Sequence, residues 1–403
     1  MESLKEHIKK FWHLEIPFLI WLSHLLVILF FLPSEALKDE RVFYYTALLF
    51  KNIPATLNLN FLRIYDSPQT PISFYFAGIV LNIHQSITAL RISNSVVVML
   101  TVYIFCSSVK YLLKNDIKTS IFLVLVFLIN PYLHLISILF YTDSLYLLCV
   151  VILVYGFIRE KESFMFYFAM FLAPLVRQFG VIFASGNALG EIKREPPYIN
   201  KNFVYSILSL AGLCFFLVLW QGTMPNNSFR ESMNHIREVY GFVYPYIPAY
   251  HLTALGFYMS PLLFYYLKKV YREKSFAIGA ILGGIFYALF PARQNYSTII
   301  VQPYNKTLGF YHKIMLMVFH DPYYHIILIL FAMLAGGWIL YILRSAKVPR
   351  NFKIWSILFF MMSFGNLQAW DKYLLDIEAV IIISFIYLLP LFRGIRLETK
   401  ASQ

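Results

Sequence analysis

Charge is scarce in this chain. Asp, Glu, Lys and Arg make up 14% of its 403 residues, where a soluble domain carries roughly a quarter. Hydrophobic residues reach 59% and the mean hydropathy is +0.64. This excludes an ordinary soluble domain and reads as a polytopic membrane protein. Cysteine is nearly absent too: Cys106, Cys149 and Cys214 are the only three, all in apolar segments. That excludes a disulfide scaffold and predicts free, buried thiols. His134, His312, His320 and His325 fall in no HExxH or Cys/His spacing, so no metal is expected. No glycine-rich loop cradles a phosphate, which leaves a cytosolic sugar nucleotide without a docking site. There is no low-complexity tract and no repeat at a period of roughly 20–50 residues. No A-x-A-like cleavage site follows the first apolar run, which therefore reads as an uncleaved span.

What is there is a series of apolar runs. A span needs about 20 mostly apolar residues. Candidates cover 16–33, 71–90, 92–112, 119–140, 143–158, 164–190, 203–221, 247–268, 274–291, 322–343, 353–369 and 374–393. The net charge of +13 is spread over short basic clusters between these runs, a membrane-orientation pattern and not a nucleic-acid one. Lys5, Lys9 and Lys10 precede the first run, and "REKE" (159–162), "KREPP" (193–197), "KKVYREK" (268–274), "RSAKVPR" (344–350) and "RGIR" (393–396) follow later ones. All of these fit one cytosolic side if 164–190 is a hairpin of two short passes with Arg177 and Gln178 at its far tip. In the front half the count and the charges conflict. If 71–90 and 92–112 are both spans, the basic loop with Lys110, Lys114 and Lys118 lies on the lumenal side. Sequons at Asn226, Asn295 and Asn305 all fall in loops assigned to the side opposite the basic clusters.

Ionisable residues at a membrane edge are costly and point to function by default. Asp39–Glu40 opens a segment just after the first run. A carboxylate there can take a proton from a reacting hydroxyl. The same pair also suits the first turn of an interfacial helix, where the dipole favours acids. In "YDSPQTPISFYFAG" (65–78), Asp66, Thr70 and two prolines make a rigid turn that is either an ordinary helix start or the wall of a substrate cleft. Asp143 in "LFYTDSLYLL" is either a hairpin tip or a cleft residue. Arg177 and Gln178 interrupt an apolar hairpin. A guanidinium offers a fork matched to phosphate, or it snorkels or pairs with a buried acid. Arg293, Lys306 and Lys372 add cations to loops assigned to the far side.

These segments, taken in order, resemble a known pattern. Membrane glycosyltransferases of the GT-C type place an acidic pair in their first lumenal loop. More narrowly, the chain resembles the dolichyl-phosphate-glucose alpha-1,2-glucosyltransferase family of N-glycan precursor assembly. That family carries D-E, W-D-P-x-x-T-T-P-P-G, L-R-x-x-N, Y-Y-T-D-S, and R-Q-T-N followed by G-N. Here stand Asp39–Glu40, "YDSPQTPISFY", "LRISN" (90–94), "FYTDS" (140–144), "VRQFG" (176–180) and "GN" (186–187), in the same order over roughly 35–190. "YNKTLGFYHK" (304–313) is similar to the family's D-N-R-H-Y-T-F-Y-x-W-K. The family's histidine after the acidic pair is missing from Val42-Phe43-Tyr44, the T-T-P-P-G is reduced to Thr70-Pro71, and R-Q-T-N becomes Arg177-Gln178-Phe179-Gly180.

The resemblance implies an all-α, GT-C-like bundle of about 11–13 transmembrane helices in the endoplasmic reticulum membrane. It forms one domain over 1–403, with a catalytic module (1–200) holding the lumenal loop 34–70 and variable C-terminal helices (201–403). It implies glucose transfer from dolichyl-phosphate glucose to a lipid-linked oligosaccharide, inverting, with no cofactor and no nucleic acid. Asp39 and Glu40 would be catalytic. Arg177, Gln178, Lys306 and Lys372 would bind the donor phosphate, and Asp66, Thr70, Asp143 and Asn305 would line the cleft. Two alternatives stay open: a dolichyl-phosphate-mannose-dependent mannosyltransferase of glycosylphosphatidylinositol assembly, and a non-enzymatic transporter or channel-associated protein.

Overall fold

A computed structural model describes the chain except residues 1, 115, 160–162, 193–200, 229, 232–233, 236–237, 239–241, 292–308, 320–322, 366–373 and 394–403, and the side chains of 2–5, 8–9, 38–39, 312, 316 and 391–393. Every regular element among the described residues is helical. Among the described residues four helices are long and apolar enough to cross a membrane, Lys10–Phe30, Ile87–Leu113, Lys201–Trp220 and Tyr323–Arg344, or five if the bent pair Ile117–Leu128 and Pro131–Ile138 is one span. The chain is a multi-pass helical membrane protein.

It divides into two compact units, one of residues 1–117 with 131–241, the other of 118–130 with 242–403. The first unit contains α1 (Glu2–Phe30), α2 (Lys38–Leu49), α3 (Ile53–Thr56), α4 (Leu59–Ile64), α5 (Ile72–Ile83) and α6 (Ile87–Leu113). After α7 (Ile117–Leu128), which belongs almost wholly to the second unit, it continues with α8 (Pro131–Ile138), α9 (Asp143–Arg159), α10 (Phe164–Val176), α11 (Val181–Glu191) and α12 (Lys201–Trp220).

The front half resolves the conflict between span count and charge. α5 ends at Ile83, and α6 starts afresh behind Ser86, whose Oγ caps it by accepting from Ala89 N at 3.1 Å. At 12 residues α5 is about 18 Å long, well short of the roughly 30 Å hydrocarbon core. The expected span over 71–90 is therefore not one. α1 and α6 run antiparallel. At one end Lys110 Nζ donates to Lys10 O at 2.8 Å. At the other Arg91 reaches the carbonyls of Pro33 and Glu35. Lys110 thus shares an end with the basic N-terminal segment, as charge patterning requires. Arg159 joins that end, its guanidinium stacked 4.7 Å from the centroid of the Tyr111 ring.

The second unit holds α13 (Tyr246–Tyr258), α14 (Ser260–Val270), α15 (Lys274–Leu289), α16 (Phe310–Val318), α17 (Tyr323–Arg344), α18 (Arg350–Ser363) and α19 (Leu375–Arg393). Small residues let α15 and α17 touch backbone to backbone: a Cβ on Gly283 would lie 2.4 Å from the Ala332 carbonyl oxygen. Such close approach is how helices associate where lipid removes the hydrophobic drive. Gly283→Leu is expected to force the pair apart and lower the apparent melting temperature in detergent by several degrees; an unchanged melting temperature would show that the contact carries no stability. Asn130 Nδ2 donates to both oxygens of Glu378 at 3.1 Å, so the buried carboxylate at the start of α19 is solvated by protein. Tyr311 of α16 is buried against Tyr250 and Phe257 and hydrogen-bonds Thr253. Cys106 and Cys149 are buried and free, as predicted. Cys214 is free but exposed, contrary to expectation, because α12 turns much of its apolar surface outward.

Candidate functional site

The end of the first unit away from Lys10 and Lys110 collects almost every polar segment picked out in its sequence. α2 begins there. Its Glu40, three positions past the Leu37 cap, folds back so that Leu37 N donates to Oε2 at 3.0 Å, one half of a capping box. Glu40 is fully buried and meets Arg91 of α6 in a two-pronged pair, Nε to Oε1 at 2.9 Å and Nη2 to Oε2 at 2.6 Å. Phe140 N adds a fourth donor at 2.8 Å. Arg91 in turn donates through Nη1 to Pro33 O at 2.5 Å and through Nη2 to Glu35 O at 2.9 Å. One helical turn on, Asn94 Nδ2 donates to Tyr141 O at 2.9 Å and Leu139 O at 3.1 Å. The "LRISN" segment therefore grips two chain segments at once, the acidic loop through Arg91 and the stretch leading to Asp143 through Asn94. Glu40, read as catalytic from the sequence, is corrected to a positioning group, since four donors occupy its two oxygens and nothing of it is exposed. Asp39 lies in the first turn of α2, and its side chain lies outside the described residues.

The predicted break in the 164–190 hairpin is present. α10 ends at Val176, Arg177 is extended (φ −144°, ψ 137°), a single 3-10 turn covers Gln178–Gly180, and α11 follows. Gly180 is needed there, because a Cβ would lie 2.3 Å from the Ala173 carbonyl oxygen. Arg177 Nη1 is 3.0 Å from Asp143 Oδ1, with both side chains 8% exposed, and donates to Thr142 Oγ1 at 3.2 Å. The expectation of Arg177 as a ready phosphate clamp is therefore modified, since its charge is already met by a carboxylate. Gln178 Nε2 donates to Pro68 O at 2.7 Å and Thr223 O at 3.2 Å, which makes it a strut between loops and not a phosphate ligand.

The turn before α5 is built as the prolines suggest. The Tyr65 hydroxyl donates to Gln69 O, Thr46 Oγ1 donates to Asp66 O at 3.1 Å, and burial pushes the Tyr65 phenol well above its ordinary pKa. Asp66 itself is exposed, whereas Thr70 and Ser73 are buried with hydroxyls that find no hydrogen-bond partner. The loop after α12 lies on this turn: Trp220 Nε1 donates to Leu62 O at 2.8 Å, Asn226 N to Arg63 O at 2.8 Å and Asn227 Nδ2 to Tyr65 O at 2.9 Å. Asn226 is exposed and begins a sequon. It therefore reports the side on which the whole polar end lies. If that end is lumenal, expression in a eukaryotic cell should give a band that shifts with endoglycosidase and is lost in Asn226→Gln; a glycan surviving that substitution, or none at all, would count against it.

Asn305, Lys306 and Lys372, and the sequons at Asn295 and Asn305, lie outside the described residues. Sequence reasoning put Arg91 between two spans on the side of the basic clusters, whereas it lies at the end away from Lys10 and Lys110, and it quoted Asn94, Ser73 and Thr142 only inside motifs. Arg91 carried a usable signal, a charge one turn into an otherwise apolar helix. No family model, curated protein or solved structure matches the chain.

Proposed function

We propose that the protein is a GT-C-like glycosyltransferase of the endoplasmic reticulum membrane that moves glucose from dolichyl-phosphate glucose to a lipid-linked oligosaccharide. The observation that carries this reading is the clamp of Arg91 and Asn94, which fixes the start of α2 and the segment entering Asp143 at the same end of a membrane-embedded unit. The sequence order of these segments, similar to that of the glucosyltransferase family, supports the same assignment. Their location opposite Lys10, Lys110 and Arg159 suits a lumenal site under the positive-inside rule.

In this mechanism Asp39 is the general base. The acceptor hydroxyl oxygen attacks the anomeric carbon of the donor from the face opposite the phosphate, and its proton passes to Asp39. The bond from that carbon to the phosphate oxygen breaks, and its electron pair leaves on dolichyl phosphate, inverting the configuration. Developing negative charge on the phosphate needs preorganised cations, for which Lys306 and Lys372 are the candidates. Glu40 holds the turn in which Asp39 stands. The lipid tail of the donor stays in the bilayer, which accounts for a site at the membrane edge.

The test is removal of the protein from cells that make the precursor. A lipid-linked oligosaccharide one glucose short of complete should accumulate. Normal precursor with accumulation of an under-mannosylated glycosylphosphatidylinositol lipid would overturn the glucosyltransferase assignment.

A further inference from the structure

We propose that Asp143 Oδ2, with the hydroxyls of Thr70 and Ser73, reads hydroxyl groups of a neutral hexose, and that Arg177 is the residue that positions Asp143. This rests on the glycosyl-transfer reading above and adds the subsite. Asp143 Oδ1 is held by Arg177 at 3.0 Å, while Oδ2 is buried with no hydrogen-bond partner. Thr70 Oγ1 and Ser73 Oγ are in the same condition, on residues 0% and 3% exposed. Buried polar atoms are nearly always paired, so each exception calls for a reason. The three come from segments that the structure draws together. Gln178, next to Arg177, donates to Pro68 O two residues before Thr70. The Phe43 ring contacts both Phe74, beside Ser73, and Tyr141, two residues before Asp143, at centroid distances of 6.5 and 5.6 Å.

The chemistry of the set selects the ligand. A carboxylate oxygen only accepts, and a hydroxyl both donates and accepts. A sugar hydroxyl donating to Oδ2 and exchanging bonds with Thr70 and Ser73 satisfies all three. A phosphate would set like charge against Oδ2 and is excluded. The pair with Arg177 fixes the orientation of the carboxylate.

The experiment measures equilibrium binding of dolichyl-phosphate glucose and its four monodeoxy analogues to the full-length protein in nanodiscs, alongside glycosyl transfer. For wild type, removal of one particular hydroxyl should weaken binding about tenfold or more, the scale of a bond to a charged acceptor. Asp143→Asn should weaken the parent donor by a similar factor and leave that one analogue unchanged. Arg177→Gln should blunt selectivity at the same hydroxyl. Thr70→Val and Ser73→Ala leave the ion pair intact, and each should lose selectivity at one hydroxyl. Equal weakening of all five donors, or no change, would overturn the subsite while transfer by wild type still upheld the proposed function. A wild type that neither binds nor transfers the donor would overturn both.

Discussion

Asp39→Asn should reduce glycosyl transfer at least about a hundredfold while the protein accumulates to its normal level. Asparagine keeps the size and shape of aspartate but cannot take a proton, and a positioned general base contributes roughly 10²–10⁴ in rate. The substitution lies in the first turn of α2, next in sequence to the buried Glu40–Arg91 pair and not part of it, so stability should be little affected. Asp39→Glu should recover part of the activity. Microsomal transfer near the wild-type level in Asp39→Asn would place the base elsewhere in the unit.

Arg91→Ala should be the most destabilising single change at this end of the molecule. It leaves the Glu40 carboxylate buried without its cation and strips hydrogen bonds from Pro33 O and Glu35 O. Breaking a buried ion pair from one side costs about 3–5 kcal/mol, a large share of the 5–15 kcal/mol typical of a folded protein. Thermal unfolding in detergent should shift clearly downward, or the protein should fail to accumulate. Arg91→Lys should rescue only in part, because an ammonium cannot reproduce the planar fork that serves a carboxylate and two carbonyls together. An Arg91→Ala protein with wild-type unfolding would show that the pair does not hold the loop.

Much of the architecture could be read before any coordinates. Low charge and long apolar runs identified a helical membrane protein, and the position of Arg177 after Pro174 marked the break between α10 and α11. The error over 71–90 has a simple cause. Hydropathy sums side chains and does not see where a helix stops, and here His84, Gln85 and Ser86 end one helix and cap the next within an otherwise apolar stretch. The cap at Ser86 was legible in principle. The pairing of Glu40 with Arg91, 51 residues apart, and of Asp143 with Arg177 was not. Both depend on which helices lie side by side, and no local period encodes that. The same pairing turned Glu40 from a candidate reactive group into a strut and gave Arg177 a carboxylate partner. The sequence could show that these charges were costly to place at a membrane edge, but not what each one faced.

The most direct test is transfer by the purified protein in proteoliposomes supplied with radiolabelled dolichyl-phosphate glucose or dolichyl-phosphate mannose and a lipid-linked oligosaccharide lacking its last glucose. Incorporation from the glucose donor, dependent on Asp39 and absent with the mannose donor, is the predicted result. Incorporation from neither donor, or from mannose alone, would contradict the account.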